Sequence, residues 1–155
     1  EVRARIERCW KPYHLAVQKA IEETQQRHGK VWHVNCHSMP AVGNAASEDG
    51  PVARAEFVLG DRDGTTCEPG FTAFVAGQLR DMGYEVKINE PYKGVELVRR
   101  YSDPARGRHS LQLEVNRKLY MDEQTIEKTS GFGELQANLD KLTAAICAYA
   151  REQAG

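Results

Sequence analysis

The apolar positions along this chain change period several times, and each change marks an element. Trp10, Tyr13, His14, Val17, Ile21 and Thr24 recur at three- and four-residue spacing, which predicts an amphipathic helix from Arg5 to about His28, closed by Gly29. Pro12 falls inside this run and cannot donate a helical hydrogen bond, so the helix restarts or kinks near it. VWHVNC at 31–36 is β-branched and aromatic and reads as a strand, and residues 42–52 lose all period and read as a loop.

AEFVLGD at 55–61 is a second strand, followed by a long turn, GDRDGTTCEPG. Phe71, Phe74, Val75, Gln78, Leu79 and Met82 mark a helix ended by Gly83, and YEVKIN at 84–89 is a third strand. The stretch 90–107 is irregular, with a short strand expected at VELV (95–98). SLQLEVN at 110–116 alternates most clearly, with Leu111, Leu113 and Val115 against Gln112, Glu114 and Asn116. Asp122 is placed to cap a short helix over 121–129, and Leu135, Leu139, Leu142, Ile146 and Tyr149 line one face of a final helix from about 132 to 153. Strands alternating with helices of this length predict an α/β sheet covered on both faces. In such sheets a site forms in the crevice beyond the strand ends.

Composition narrows the function classes. The 155 residues fit one domain with a sizeable core, and 21 Lys+Arg against 22 Asp+Glu give a net charge of −1, which argues against a dedicated nucleic-acid binder. No run of apolar residues is long enough for a membrane helix, and EVRARIERCWK has no signal-peptide core. Cys9, Cys36, Cys67 and Cys147 form no C-x-x-C pair, so free thiols in a reducing cytoplasm are expected. The chain starts at Glu1 without a methionine and already inside a helical pattern, which reads as the carboxy-terminal part of something longer.

Polar residues gather at three strand ends: Asn35 to Ser38, Gly60 to Arg62, and Glu114 to Arg117. His33 and His37 lie about 13 Å apart if both sit on one strand, so at most one can ligate a given metal; His37, at the strand end, is the better placed. Glu114 stands on the polar face of an apolar strand. If that strand is central, its carboxylate needs a partner or a function, and burial raises its pKa toward the range of general acid–base work; if the strand is an edge, the face is simply wet. Arg117 is a possible counter-charge or a fork for a substrate carboxylate. Asp61 and Arg62 admit two readings, a turn-fixing ion pair or a ligand contact, and His14 admits a core role or a site role. The basic run Arg99, Arg100, Arg106 and Arg108 reads as a solvated surface.

KPYH at 11–14, VNCHSMP at 34–40, LGDRDGTTC at 59–67, NEPYKG at 89–94 and HSLQLEVNRKLYMDE at 109–123 together resemble the N-formylglutamate amidohydrolase family, in family order. The resemblance implies a three-layer α/β/α fold of the phosphorylase/hydrolase-like type, with a mixed, largely parallel central sheet related to that of zinc carboxypeptidases. It implies hydrolysis of the amide of a small acidic N-acyl amino acid, N-formyl-L-glutamate in the type reaction, as a step of histidine breakdown. His37 becomes a ligand of Zn2+ or another divalent metal, and Glu114 the general base. Arg62 and Arg117 become substrate-binding cations, with Asn89, Tyr92 and His14 as further polar lining.

Two departures accompany the likeness. Many relatives read NxPYxGG where this chain has NEPYKGV, and the histidine and carboxylate that complete a carboxypeptidase-like metal site are expected upstream of Glu1. Two alternatives therefore stand beside the enzyme: a non-catalytic anion- or amino-acid-binding domain of the same fold, and a deacylase or carboxypeptidase with another N-acyl substrate. No membrane or nucleic-acid partner is expected, and the pattern is silent on oligomeric state.

Overall fold

A computed structural model describes residues 1–47 and 49–154; position 48 of the expected loop and position 155 lie outside the described residues. The chain opens with helix α1 (Val2–Arg5), a π-helical turn (Ile6–Trp10) and helix α2 (Lys11–His28). Pro12 occupies the first turn of α2, where a missing N–H costs least, and the π turn just before it absorbs the break that the proline imposes. Gly29 ends α2 at φ +75°, its N–H bonded to the Gln25 carbonyl at 2.7 Å.

Four strands follow in the spatial order β1 (Val31–Met39), β4 (Arg108–Asn116), β2 (Phe57–Gly60), β3 (Val86–Ile88). β1 runs parallel to β4 over nine paired residues, β2 is antiparallel to β4, and β3 is parallel to β2, so the sheet is mixed as expected. Helices α3 (Pro69–Asp81) and α5 (Phe132–Ala154) cover one face, packing Phe71, Val75, Leu79, Leu135 and Leu142 on Leu111, Leu113 and Val115. Helices α2 and α4 (Glu96–Tyr101) cover part of the other, around Ile21, Val31 and Tyr101.

Two expectations need correction. VELV is not a strand: Val95 is extended and α4 begins at Glu96, burying Val98 and Tyr101 on one side. A stretch of four residues is too short to show a period, so strand and helix were indistinguishable there. The stretch 121–129 is not a helix either. The Asp122 carboxylate accepts from the Gln124 and Thr125 amides at 2.8 and 2.9 Å, forming a side-chain-closed turn, and a bridge joins Met121 to Lys128. Asp122 does cap, but its bonds close a turn in competition with a helix.

All four cysteines are free thiols; the buried Cys67 thiol is pushed up to about 12 by desolvation. None of the described helices is long and apolar enough to cross a membrane.

Candidate active site

Because β4 lies between β1 and β2, its polar face is interior, and that decides the reading left open for Glu114. The face meets β1 in parallel register, so like side chains stand side by side: Ser110 with His33, Gln112 with Asn35, and Glu114 with His37. The rungs are bonded. His33 Nδ1 shares a hydrogen bond with Ser110 Oγ at 2.8 Å, and Asn35 Nδ2 donates to Gln112 Oε1 at 3.4 Å. At the top rung, His37 Nδ1 stands 4.0 Å from Glu114 Oε1, with the Glu114 side chain 7% exposed and that of His37 38% exposed. The carboxylate is thus held inside the sheet while the imidazole opens outward.

Gln112 fixes the carboxylate. Its Nε2 donates to Glu114 Oε1 at 2.8 Å, while its own Oε1 accepts from the Val95 amide at 2.9 Å, so the amide cannot flip. Burial raises the Glu114 pKa above the ordinary carboxyl value; His37, the Gln112 bond, Arg117 and Arg54 pull it partly back. A carboxyl so placed can take and return a proton nearer neutral pH.

Beside this pair lies a hollow of ≈ 660 Å3 whose wall includes Arg54, Arg62, Tyr92, Lys93 and Gln112. His37 itself lines a second hollow of ≈ 400 Å3 with Tyr120, Phe132 and Leu139. The loop carrying Tyr92 is pressed against the end of β2: a Cβ on Gly60 would sit 2.7 Å from the Gly94 nitrogen, so only glycine fits there.

A family model described as N-formylglutamate amidohydrolase matches residues 1–121. The chain belongs to the N-formylglutamate amidohydrolase family. N-formylglutamate deformylases of Pseudomonas putida and Pseudomonas aeruginosa are 28% identical to it over 123 and 120 residues, covering 76% and 74% of this chain but 43% and 42% of theirs. The crystal structure of N-formylglutamate amidohydrolase from Ralstonia eutropha JMP134 superposes with a TM-score of 0.90 at 48% identity, over 98% of this chain and 56% of that one. A gene product of Agrobacterium tumefaciens, 22% identical, shares the fold at a TM-score of 0.60 over 92% of this chain and 54% of its own. The chain therefore spans about half the length of the relatives it matches.

Against the metal that the family resemblance implies, the donor set is short. Among the described residues no group of three or more His, Cys, Asp or Glu could hold one ion, whereas catalytic zinc takes three protein ligands. His37 and Glu114 do not by themselves make a zinc centre.

The other residues expected at the site separate into two groups. Arg62, at φ +52°, lines the larger hollow with its Nη1 donating to the Gly94 carbonyl at 2.9 Å, and Tyr92 lines it too. Arg62 makes no bond with Asp61. Asp61 is a structural hub instead, accepting from the Gly64 amide at 2.8 Å, Asn89 Nδ2 at 2.7 Å and Thr72 Oγ1 at 2.9 Å. Asn89 is thereby committed to holding the turn. Arg117 reaches Ser38 Oγ at 3.3 Å and Glu123 at 3.5 Å, beside the top rung and outside the lining of the larger hollow. His14 points at Tyr101 of α4, bonded to its hydroxyl, and joins neither hollow.

Sequence reasoning gave no site role to Arg54 or Gln112. Both left a trace: Arg54 is the one charge in the run PVARA before an apolar strand, and Gln112 is the neighbour of Glu114 on the same polar face.

Proposed function

We propose that this chain carries the proton-transfer half of an N-formyl-L-glutamate hydrolase, releasing formate and L-glutamate. The observation that carries the reading is the Glu114–His37 pair, a buried carboxylate 4.0 Å from an outward-facing imidazole at the end of paired strands, in a chain of this family. The names of its relatives support the substrate.

In this reading Glu114 Oε1 is pinned by Gln112, leaving Oε2 to accept the proton of the water that attacks the formyl carbon. As the C–N bond breaks, the same carboxyl returns that proton to the leaving amine, so atoms and charge balance. Arg62 and Tyr92 line the space that would receive the acidic part of the substrate. Arg117, which helps hold the Glu114 charge, would favour an anionic ligand at the mouth. A divalent metal such as Zn2+ would polarise the amide carbonyl. Within this chain only His37 is offered as its ligand, and the rest would have to come from outside the described residues.

The test uses the longest form in which the chain is expressed. Glu114→Gln should lower formate release from N-formylglutamate by about 10²- to 10⁴-fold, the usual weight of a general acid–base group. Turnover within a few-fold of wild type would show that Glu114 is not the base. Stoichiometric zinc by plasma mass spectrometry, with formate release lost on chelation, is expected if the metal belongs to the reaction. A metal-free protein with full turnover would remove His37 from a ligand role.

A further inference from the structure

The larger hollow contains a cation whose partners do not saturate it. The Arg54 side chain is 2% exposed and lies in a bidentate pair with Asp49, Nε and Nη2 donating at 2.8 and 2.7 Å. Its Nη1 is buried and has no hydrogen-bond partner among the described residues. Leaving a buried, charged donor unmet is costly, and the position is held firmly enough that it cannot relax away. A bridge between Val42 and Ala53 closes the surrounding hairpin, and a Cβ on Gly43 would stand 3.1 Å from Arg54 Nη2 and 2.0 Å from the Gly50 carbonyl. From below, Asn116 Nδ2 donates to the carbonyls of Arg54 and Ala55 at 3.1 Å each.

The charges around the hollow point the same way. Three cations, Arg54, Arg62 and Lys93, face two carboxylates, Asp49 and Asp63. Lys93 is spent on Asp63 at 2.8 Å and Arg54 on Asp49, while the Arg62 side chain, bonded to the Gly94 carbonyl, forms no ion pair with a carboxylate among the described residues. Arg62 feels the Glu96 carboxylate only at a distance, and its guanidinium faces a walled space that also contains Gln112, the residue fixing Glu114.

We propose that Arg54 is a carboxylate-binding residue, its guanidinium receiving one carboxylate of the acidic N-acyl amino acid in this hollow, whose wall Arg62 shares. The assignment of that anion to a substrate rests on the hydrolase reading above; the anion site itself does not. The Tyr92 ring lies over the guanidinium, its centroid 5.0 Å from Cζ. Since Nη1 is closed from water, a ligand oxygen reaches it when this ring turns aside. An arginine fork suits the task, because a carboxylate can take two parallel N–H donors and a lysine offers only a point charge.

The test is calorimetric titration of the full chain with glutarate, a dicarboxylate with no amide to hydrolyse, and with glutaramide, its neutral counterpart. Wild type should bind glutarate and not glutaramide. Arg54→Lys should weaken glutarate binding about tenfold or more, the order of a lost charge-assisted bond. Removing Arg54 alone strands Asp49, so the paired variant Arg54→Met with Asp49→Asn is the control: loss of glutarate binding with an unchanged melting temperature supports the site. Equal binding of glutarate and glutaramide, no glutarate binding in wild type, or Arg54→Lys within twofold of wild type would each overturn it. No formate release from N-formylglutamate by wild type, together with Arg54-dependent glutarate binding, would sink the hydrolase reading and leave the anion site standing.

Discussion

Strand β4 presents two faces built from alternate residues of one nine-residue segment, and they do different work. Leu111, Leu113 and Val115 face α3 and α5 in a continuous apolar core. Ser110, Gln112, Glu114 and Asn116 face the other way and are just as buried, yet every one is polar. The first face lowers the free energy of the fold simply by leaving water. The second can be buried only because each polar group has a named partner: His33 for Ser110, Asn35 and Val95 for Gln112, Gln112 for Glu114, and two carbonyls for Asn116. A protein that needed only stability could have made both faces apolar. In the proposed function the polar one serves the chemistry.

The comparison is broken most severely on the apolar side. Leu111 is fully buried in the core, and Leu111→Ala should cost about 2–5 kcal/mol, combining lost transfer energy with the cavity left behind. Urea unfolding should show a lower midpoint with an unchanged slope. The folded protein should still bind glutarate like wild type, since no part of the hollow touches that face. A stability loss below about 1 kcal/mol, or a change in glutarate affinity at 10 °C below the melting point, would mean that the two faces are not separable.

How far this division was legible beforehand differs between its two faces. Alternation over 110–116 identified the strand and both its faces, because a period of two persists over seven residues. The position of the strand in the sheet was not legible: order β1-β4-β2-β3 depends on long-range pairing, and only that pairing distinguishes a buried Glu114 from one on a wet edge. His37 and Glu114 were legible as candidates from strand-end position and family resemblance, and the register brings them together. Arg54 was not, because its meaning comes from Asp49, Tyr92 and Asn116, which converge on it from three separate segments. The two misread segments, 95–98 and 121–129, are short, and in each a local bond pattern outweighed a pattern too brief to carry a period.

On the polar side, Asn116 offers a smaller break. Its side chain donates to the Arg54 and Ala55 carbonyls and accepts from the Lys118 amide at 3.0 Å. Asn116→Ala leaves those buried groups unmet and should cost about 1–3 kcal/mol, less than Leu111→Ala. Unlike the core variant it should also weaken glutarate binding, because it loosens the backbone beneath Arg54. Retained affinity alongside the expected fall in stability would show that Arg54 is positioned from the Asp49 side alone.

The finest distinction between the faces is their dependence on pH, since only the polar one titrates. Burial raises the folded-state pKa of Glu114 above its unfolded value, so the folded protein binds that proton more tightly. The stabilisation this gives is fully present below the unfolded carboxyl pKa and is lost as pH rises through the raised folded one. At neutral pH the carboxylate is therefore a stability cost, one that the proposed proton transfer requires. Glu114→Gln removes the charge and keeps an acceptor for Gln112, so it should melt higher than wild type at pH 7, with the gap closing toward pH 4. His37→Asn takes away the strongest attraction opposing burial and should steepen the wild-type loss of stability between those limits. Parallel melting curves for wild type and Glu114→Gln across that range would mean that the carboxylate is better solvated than its place in the sheet implies, and the case for it as a proton carrier near neutral pH would weaken with it.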